Sequence, residues 1–252
     1  MSQGQSWGSS AVVTAGTANS FVEIGASRIT GPIQKSSLFL SISPMDCREI
    51  VSAARKEVYK RRETIHLAGD PVRQIVLLTS GCVKIVQIGQ NGSEVILRLN
   101  GPGEAFGMAG SSGQTRHCSS AQALAASTAL VWEIGAFESL SERFPLLRRN
   151  TTHILCKRLE ELEERFREVS TEKVAARLSH EMVRLLNQVG HRVNGGVQIY
   201  LSREELAQLI GTTLFTVSRL LSDWDEQSIV SARRESVIVK NLEALVELSE
   251  RE

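Results

Sequence analysis

Apolar residues in this chain follow two different periods, and the change between them marks its organisation. Across residues 58–134 short β-prone runs recur at 75–78, 83–88, 94–99 and 130–134. Turn chemistry separates them: Gly69-Asp70, Ser80-Gly81, Asn91-Gly92 and Gly101-Pro102-Gly103-Glu104. An Asn-Gly pair between alternating runs signals a hairpin, because both residues tolerate positive φ. Several short strands at this spacing predict an antiparallel sandwich or roll. Ahead of them, residues 1–35 are rich in Ser, Gly, Ala and Thr and read as a mobile tail in which Phe21, Val22 and Ile24 can pack locally. A short helical region follows over 38–51.

Beyond the strands the period becomes helical. A long stretch runs over 138–170 with a break at Pro145. In it Leu155, Leu159, Leu162, Phe166 and Val169 fall at spacings of 4, 3, 4 and 3. Lys157, Arg158, Glu160, Glu161, Glu163, Glu164, Arg165 and Arg167 lie between them. A narrow apolar seam on a charged helix is the a/d pattern of a coiled coil, and it predicts pairing with a second copy. The plainer alternative is one helix packed on its own domain. A second helix over 174–189, the turn Asn194-Gly195-Gly196 and a strand over 197–201 complete this part.

Residues 201–221 carry the densest signal. Ser202 and Glu205 form a capping box that starts a helix. Leu206, Leu209 and Ile210 give it one apolar face, and Ala207 is small where a second helix must cross. Gly211 sits where the chain leaves the helix and needs a left-handed turn. Thr212 or Thr213 caps the next helix, whose inner face is Val217, Leu220 and Leu221. Its outer face is Thr213, Leu214, Thr216, Ser218 and Arg219, with Phe215 near the edge. Hydroxyls and an arginine at a helix N-terminal end suit base edges and phosphates in a major groove. An ordinary helical hairpin is the alternative. Farther on, Ile229-Val230 and 237–239 flank Arg233-Arg234, a hairpin wing placed to touch phosphates. Arg203 adds to the same basic face.

Charge alone does not announce this function. The chain carries a net charge of +1, and the last 82 residues hold ten Lys/Arg against twelve Asp/Glu. The basic side chains must therefore be gathered on one face. The four cysteines, Cys47, Cys82, Cys118 and Cys156, form no Cys-x-x-Cys pair, which argues against a disulfide framework or zinc finger and suits a reducing cytoplasm. Cys82 and Cys156 sit in apolar company and read as inert packing. Neither an export signal nor a membrane span is expected. No nucleophile–base arrangement, metal-ligand spacing or phosphate loop argues for an enzyme.

In the order of its parts the chain after the tail resembles the cyclic-AMP receptor protein and fumarate/nitrate regulator (CRP/FNR) family. The local echoes are residues 81–99, Ser119-Ser120-Ala121-Gln122-Ala123-Leu124, and Gly211 to Leu221, with 216–221 most like the FNR branch. The resemblance implies an α+β protein: tail (1–35), antiparallel β-roll sensor domain of the cyclic-nucleotide-binding jelly-roll type (36–142), dimerisation helix (143–170) and winged helix-turn-helix (171–252). It implies a homodimeric regulator binding double-stranded DNA at an inverted repeat, with RNA polymerase as a further partner and no membrane.

The departures bear on the signal. Family members that bind cyclic AMP hold the ribose with a Glu after a Gly and the phosphate with an Arg-Ser pair; here Gly107-Met108 and Ser119-Ser120 stand there, with Arg116 three residues early. Leu162-Glu163 replaces the Thr-Ser that meets the adenine. These changes argue against cyclic AMP, because a buried phosphate would go unpaired. The family's iron–sulfur cysteines are missing from the tail, and Trp132 takes the place of the last ligand, which argues against that cluster. The recognition helix has Leu214-Phe215 where the family has a Glu that reads cytosine, so a different half-site is expected. The effector is open. Gly107, Met108, Arg116, His117, Cys118, Ser119 and Ser120 are the candidate pocket, and His117 and Cys118 are candidate haem ligands for a carbon-monoxide or nitric-oxide sensor; thiol oxidation is another option. A ligand-responsive regulatory subunit acting on a protein partner and not on DNA is the rival from another class.

Overall fold

The computed structural model describes residues 31–108 and 116–250; the expected tail over 1–30, with Phe21, Val22 and Ile24, lies outside the described residues. The chain enters through helix α1 (Pro32–Lys35), a 3-10 turn (Ser37–Phe39) and α2 (Pro44–Ser52). The Ser43 hydroxyl caps α2 by accepting from the Asp46 amide at 3.1 Å. Strands β1 (Arg55–Tyr59), β2 (Thr64–His66), β3 (Gln74–Ser80), β4 (Val83–Ile88), β5 (Glu94–Asn100), β6 (Ala105–Phe106), β7 (Ser120–Ala123) and β8 (Ser127–Glu133) follow. They form two four-stranded antiparallel sheets, ordered β1-β8-β3-β6 and β2-β7-β4-β5. The expected hairpin joins β4 to β5 in a register from Val83↔Asn100 to Ile88↔Glu94, and Gly92 in its turn has φ 80°.

Strand alternation explains why the run over 75–78 is apolar without interruption. Side chains leave a strand on opposite faces in turn. Val76 and Leu78 join Val83, Ile85, Ala129 and Val131 between the two sheets. Ile75 and Leu77 point the other way, to a core with Leu130, Trp132, Ile50, Phe137 and Leu147. The first sheet is thus covered on both faces, inside by the second sheet and outside by helices. Trp132 anchors the outer layer, its indole N–H donating to the Ile50 carbonyl at 2.7 Å.

Helix α3 (Ile134–Arg143) ends as the Phe144 amide bonds the Leu140 carbonyl, and Pro145 starts α4 (Pro145–Thr171) in the first turn, where its missing N–H costs nothing. Leu155 leans into the chain's own outer core. Leu159, Leu162, Phe166 and Val169 are 57%, 55%, 74% and 52% exposed. Cys156 is also exposed, against the expectation of apolar packing, because Ile154 and Leu155 of the same turn take the inward side of α4. Cys82 does pack among apolar side chains.

The rest comprises α5 (Val174–Val189), β9 (His191–Val193), β10 (Gly196–Ile199), α6 (Arg203–Ile210), α7 (Leu214–Glu226), β11 (Val230–Ala232), β12 (Val237–Val239) and α8 (Leu242–Glu250). Its sheet runs β11-β12-β10-β9. A single core joins this part to the roll: Val86, Ile96 and Leu99, on the outer face of the second sheet, pack with Leu178, Met182, Leu206, Leu221 and Trp224. The strand predicted over 197–201 stops at Ile199, although Leu201 is buried in the same core.

Candidate functional site

The α6–α7 unit forms as its local chemistry dictates. The Ser202 hydroxyl accepts from the Glu205 amide at 3.2 Å, and the Glu205 carboxylate accepts from the Ser202 amide at 2.7 Å. Gly211 adopts φ 66°, ψ 51°, the left-handed turn that reverses the chain. Thr213 caps α7, its hydroxyl accepting from the Thr216 amide at 3.2 Å. Val217, Leu221 and Trp224 are buried, which turns Phe215, Arg219 and Ser222, at i, i+4 and i+7, outward. Phe215 is 84% exposed. Leu214 lies at the flank and is exposed, while Thr216 and Ser218 are half-buried.

Two details modify the sequence reading. The Thr213 and Thr216 hydroxyls contact each other at 3.0 Å, so the capping network already engages them. Arg203 is half-buried at the start of α6, and its Nε is buried without a partner. Ser222 was missing from the expected surface; helical spacing from Arg219 is the signal that would have found it. Arg233 and Arg234 are exposed at the tip between β11 and β12. Glu235 beside them pairs with Arg61 of the roll at 3.1 Å.

A cavity of about 880 Å³ lies between the roll and α4. Gly107, Met108, Arg116, His117, Cys118 and Ser119 all border it. Ser120 does not: it pairs with Val86 in the sheet, and its hydroxyl accepts from the Ala68 amide at 2.9 Å. Met108 is buried in the outer core. Gly107 is required sterically, since φ is 83° and a Cβ would lie 2.5 Å from the Gln74 carbonyl oxygen. Arg116 donates to the Gly69 carbonyl at 2.6 Å. His117 stacks on His66 with ring centroids 3.5 Å apart. Burial, and secondarily the nearness of His117, bring the His66 pKa down to about 4. Burial lowers His117 as well.

The sequence reading missed the cavity's other wall. Arg98 and Asn100 come from β5, Arg158 and Arg165 from α4, and Gln188 from α5. Arg165 donates to the Leu97 carbonyl and pairs with Glu181 of α5, both at 2.8 Å. Gln188 donates to the Leu99 carbonyl at 2.9 Å and to the Glu104 carboxylate at 2.9–3.0 Å. Strict alternation from Ile96 would turn Arg98 outward; the register shift in the β4–β5 ladder instead pairs it with inward-facing Ile85, and nothing local marks Arg158.

Two family models match, in the order the fold displays. The cyclic nucleotide-binding domain covers residues 56–144, and the Crp-like helix-turn-helix domain covers 172–248. The chain belongs to the CRP/FNR family. It is 28% identical to the cyclic AMP receptor protein of Thermus thermophilus, over 85% of this chain and 97% of that protein. It is 27% identical to the transcriptional activator protein anr of Pseudomonas aeruginosa, over 79% of this chain and 82% of that protein. The fold of FixK2 from Bradyrhizobium japonicum superposes with a TM-score of 0.69 at 20% identity, over 77% of this chain and 96% of that one. This CRP/FNR chain is therefore a transcription regulator with a helix-turn-helix DNA-binding domain. Among the described residues no helix is long and apolar enough to cross a membrane.

Of the residues that the resemblance set against ligand contacts of the family, Met108 and Leu162 border the cavity and Trp132 does not. Trp132, standing where an iron–sulfur cysteine would, is fully buried in the outer core. Met108, in place of the ribose-binding Glu, also fills core. Leu162, in place of an adenine-binding Thr, is exposed on α4. His117 and Cys118 both border the cavity.

Proposed function

We propose that this CRP/FNR chain works as a homodimer that reads an inverted repeat, under the control of a ligand in the cavity between roll and α4. The single observation that carries the reading is the exposed stripe of Leu159, Leu162, Phe166 and Val169. Large apolar side chains at coiled-coil spacing, left bare along one helix, call for a partner with the same pattern. Two-fold pairing along α4 gives two α7 helices, which suits half-sites about one helical turn apart.

In this reading Arg219 and Phe215 meet base edges, Arg219 a guanine and Phe215 a thymine methyl. Leu214, Thr216 and Ser218 flank them, and Thr213 holds the helix end. Arg203, Arg233 and Arg234 supply salt-dependent backbone affinity. The cavity communicates through Arg165 and Gln188, which tie α5 to β5, so a ligand with unequal affinity for two arrangements of this contact shifts the DNA-binding population.

The test is gel retardation on a selected inverted repeat. Arg219→Ala is expected to weaken specific binding by about ten- to one-hundred-fold while leaving binding to unrelated DNA nearly unchanged. Equal loss on both DNAs would remove α7 as the reading helix. Absence of any footprint for the intact protein would favour the regulatory-subunit alternative.

A further inference from the structure

The outward helix of the helix-turn-helix and the wing are joined at Asp225, in the last turn of α7. Its Oδ2 accepts from the Ala232 amide of β11 at 3.0 Å. Strand geometry explains why that amide is open to a side chain. Along an antiparallel pair, hydrogen-bonded and non-bonded residue pairs alternate. The Arg233 amide donates across the turn to the Ser236 carbonyl at 2.8 Å, so the preceding pair, Ala232 and Val237, is a non-bonded one. The Ala232 N–H therefore points away from β12, at the free edge of a sheet ordered β11-β12-β10-β9. An edge amide needs an acceptor from outside the sheet. Here α7 supplies it, as a carboxylate, which makes the bond charge-assisted.

The other strand of the wing is braced as well. Gln198 of β10 donates from Nε2 to the Ser236 hydroxyl at 2.8 Å, and both residues are buried. The turn that carries exposed Arg233 and Arg234 is thus held from α7 on one strand and from the sheet on the other. Lys240, just past β12, places its Nζ 4.0 Å from Asp225 Oδ1.

We propose that Asp225 is a positioning residue for DNA binding. By bonding the free edge of β11 it sets the wing at the angle to α7 at which Arg233 and Arg234 meet phosphates while Phe215 and Arg219 lie in the groove. This inference rests on the reading of α7 and the wing as the parts that touch DNA. A wing left to pivot has to be ordered during binding, which lowers affinity without removing any contact residue.

The sign of the effect separates positioning from plain electrostatics. A carboxylate close to a phosphate backbone repels it, so on charge alone its removal strengthens binding. Loss of the brace does the opposite. Asparagine keeps an oxygen to accept from the Ala232 amide, alanine does not, and both release Lys240 alike.

Gel retardation of the full chain on its inverted repeat, over a range of salt concentrations, tests this. Asp225→Ala is expected to weaken binding about fivefold and to lower the salt slope by about one to two, as wing contacts with phosphate are lost. Asp225→Asn is expected to bind at least as tightly as the parent. In a chain that already carries Arg233→Ala and Arg234→Ala, adding Asp225→Ala is expected to weaken binding no further. Tighter binding by Asp225→Ala, equal losses in the Asn and Ala variants, or a fivefold loss that persists without the wing arginines would each overturn the proposal. Parent-like binding by the variant lacking both arginines would overturn it too. Absence of retardation for the parent chain would overturn the regulator reading along with it, whereas retardation indifferent to these changes would overturn the positioning role alone.

Discussion

The α6–α7 unit and the cavity under α4 place arginines in opposite environments. Arg219 stands on an exposed helix face built by neighbours in sequence: a capping box, a left-handed glycine and a threonine cap. Its charge is hydrated and, in the proposed reading, meets DNA at little cost to the fold. Arg98 and Arg158 are 60 positions apart, brought to one cavity by packing α4 on β5, bonded there to a side-chain amide and a backbone carbonyl, with the charges of Glu104 and Glu161 near both. Recognition of a polyanion can rest on exposed, locally organised groups because the phosphate backbone supplies abundant charge and releases counterions. Selective capture of a small molecule benefits from donors already desolvated, so that the right ligand alone completes them.

Helix α4 forms one wall of the cavity and, in the homodimer reading, also sets the spacing of the two α7 helices, so breaking its exposed stripe should have the largest effect. Phe166→Glu combined with Leu162→Glu is expected to convert a dimer into a monomer by sedimentation. Specific DNA affinity should then fall by roughly two orders of magnitude, because one half-site is lost. A dimer that survives the double change would move the interface elsewhere.

A smaller effect tests whether the reading unit is as locally built as it looks. Ser202→Ala removes one half of the capping box and is expected to cost about 1 kcal/mol. Scanning calorimetry should show a melting temperature lower by about 2–4 °C. An unchanged melting temperature would remove the capping box as a support of the unit.

The smallest expected effect sharpens the cavity side. His66 has its pKa lowered to about 4 by burial, against the ordinary value of 6.5. Between these pH values the unfolded chain takes a proton that the folded chain refuses, so stability falls as pH drops from 6.5 toward 4 and the contribution is fully lost below that window. His66→Gln is expected to flatten that part of the stability–pH curve in denaturant titrations; an unchanged slope would assign the acid sensitivity to other groups.

Legibility in the sequence followed the range of the interactions. The β4–β5 hairpin, the start of α4 at Pro145, the span of α5 and both caps of the α6–α7 unit depend on residues a few positions apart, so their signals survive in one dimension. The candidate cavity was half legible. Gly107, Arg116, His117 and Ser119 came from the resemblance and do border it, while Ser120, one residue on, was taken into β7 by strand pairing. Arg98 and Arg158 looked like ordinary polar positions on a strand and a charged helix. Cys156 failed for a related reason: apolar neighbours in sequence say little about which face of a long helix meets the roll.

By itself the sequence determined the α+β order of parts and the chemistry of the reading helix, because capping, turn conformation and hydrophobic period act between near neighbours. Tertiary structure alone decided that Leu155 turns inward while Phe166 is left bare, and that Val86, Ile96 and Leu99 of the roll share a core with the DNA-binding unit. It also decided which charged side chains meet at the cavity. Burial and charge compensation are properties of the assembled environment, set by residues distant in the chain, and no local pattern encodes them.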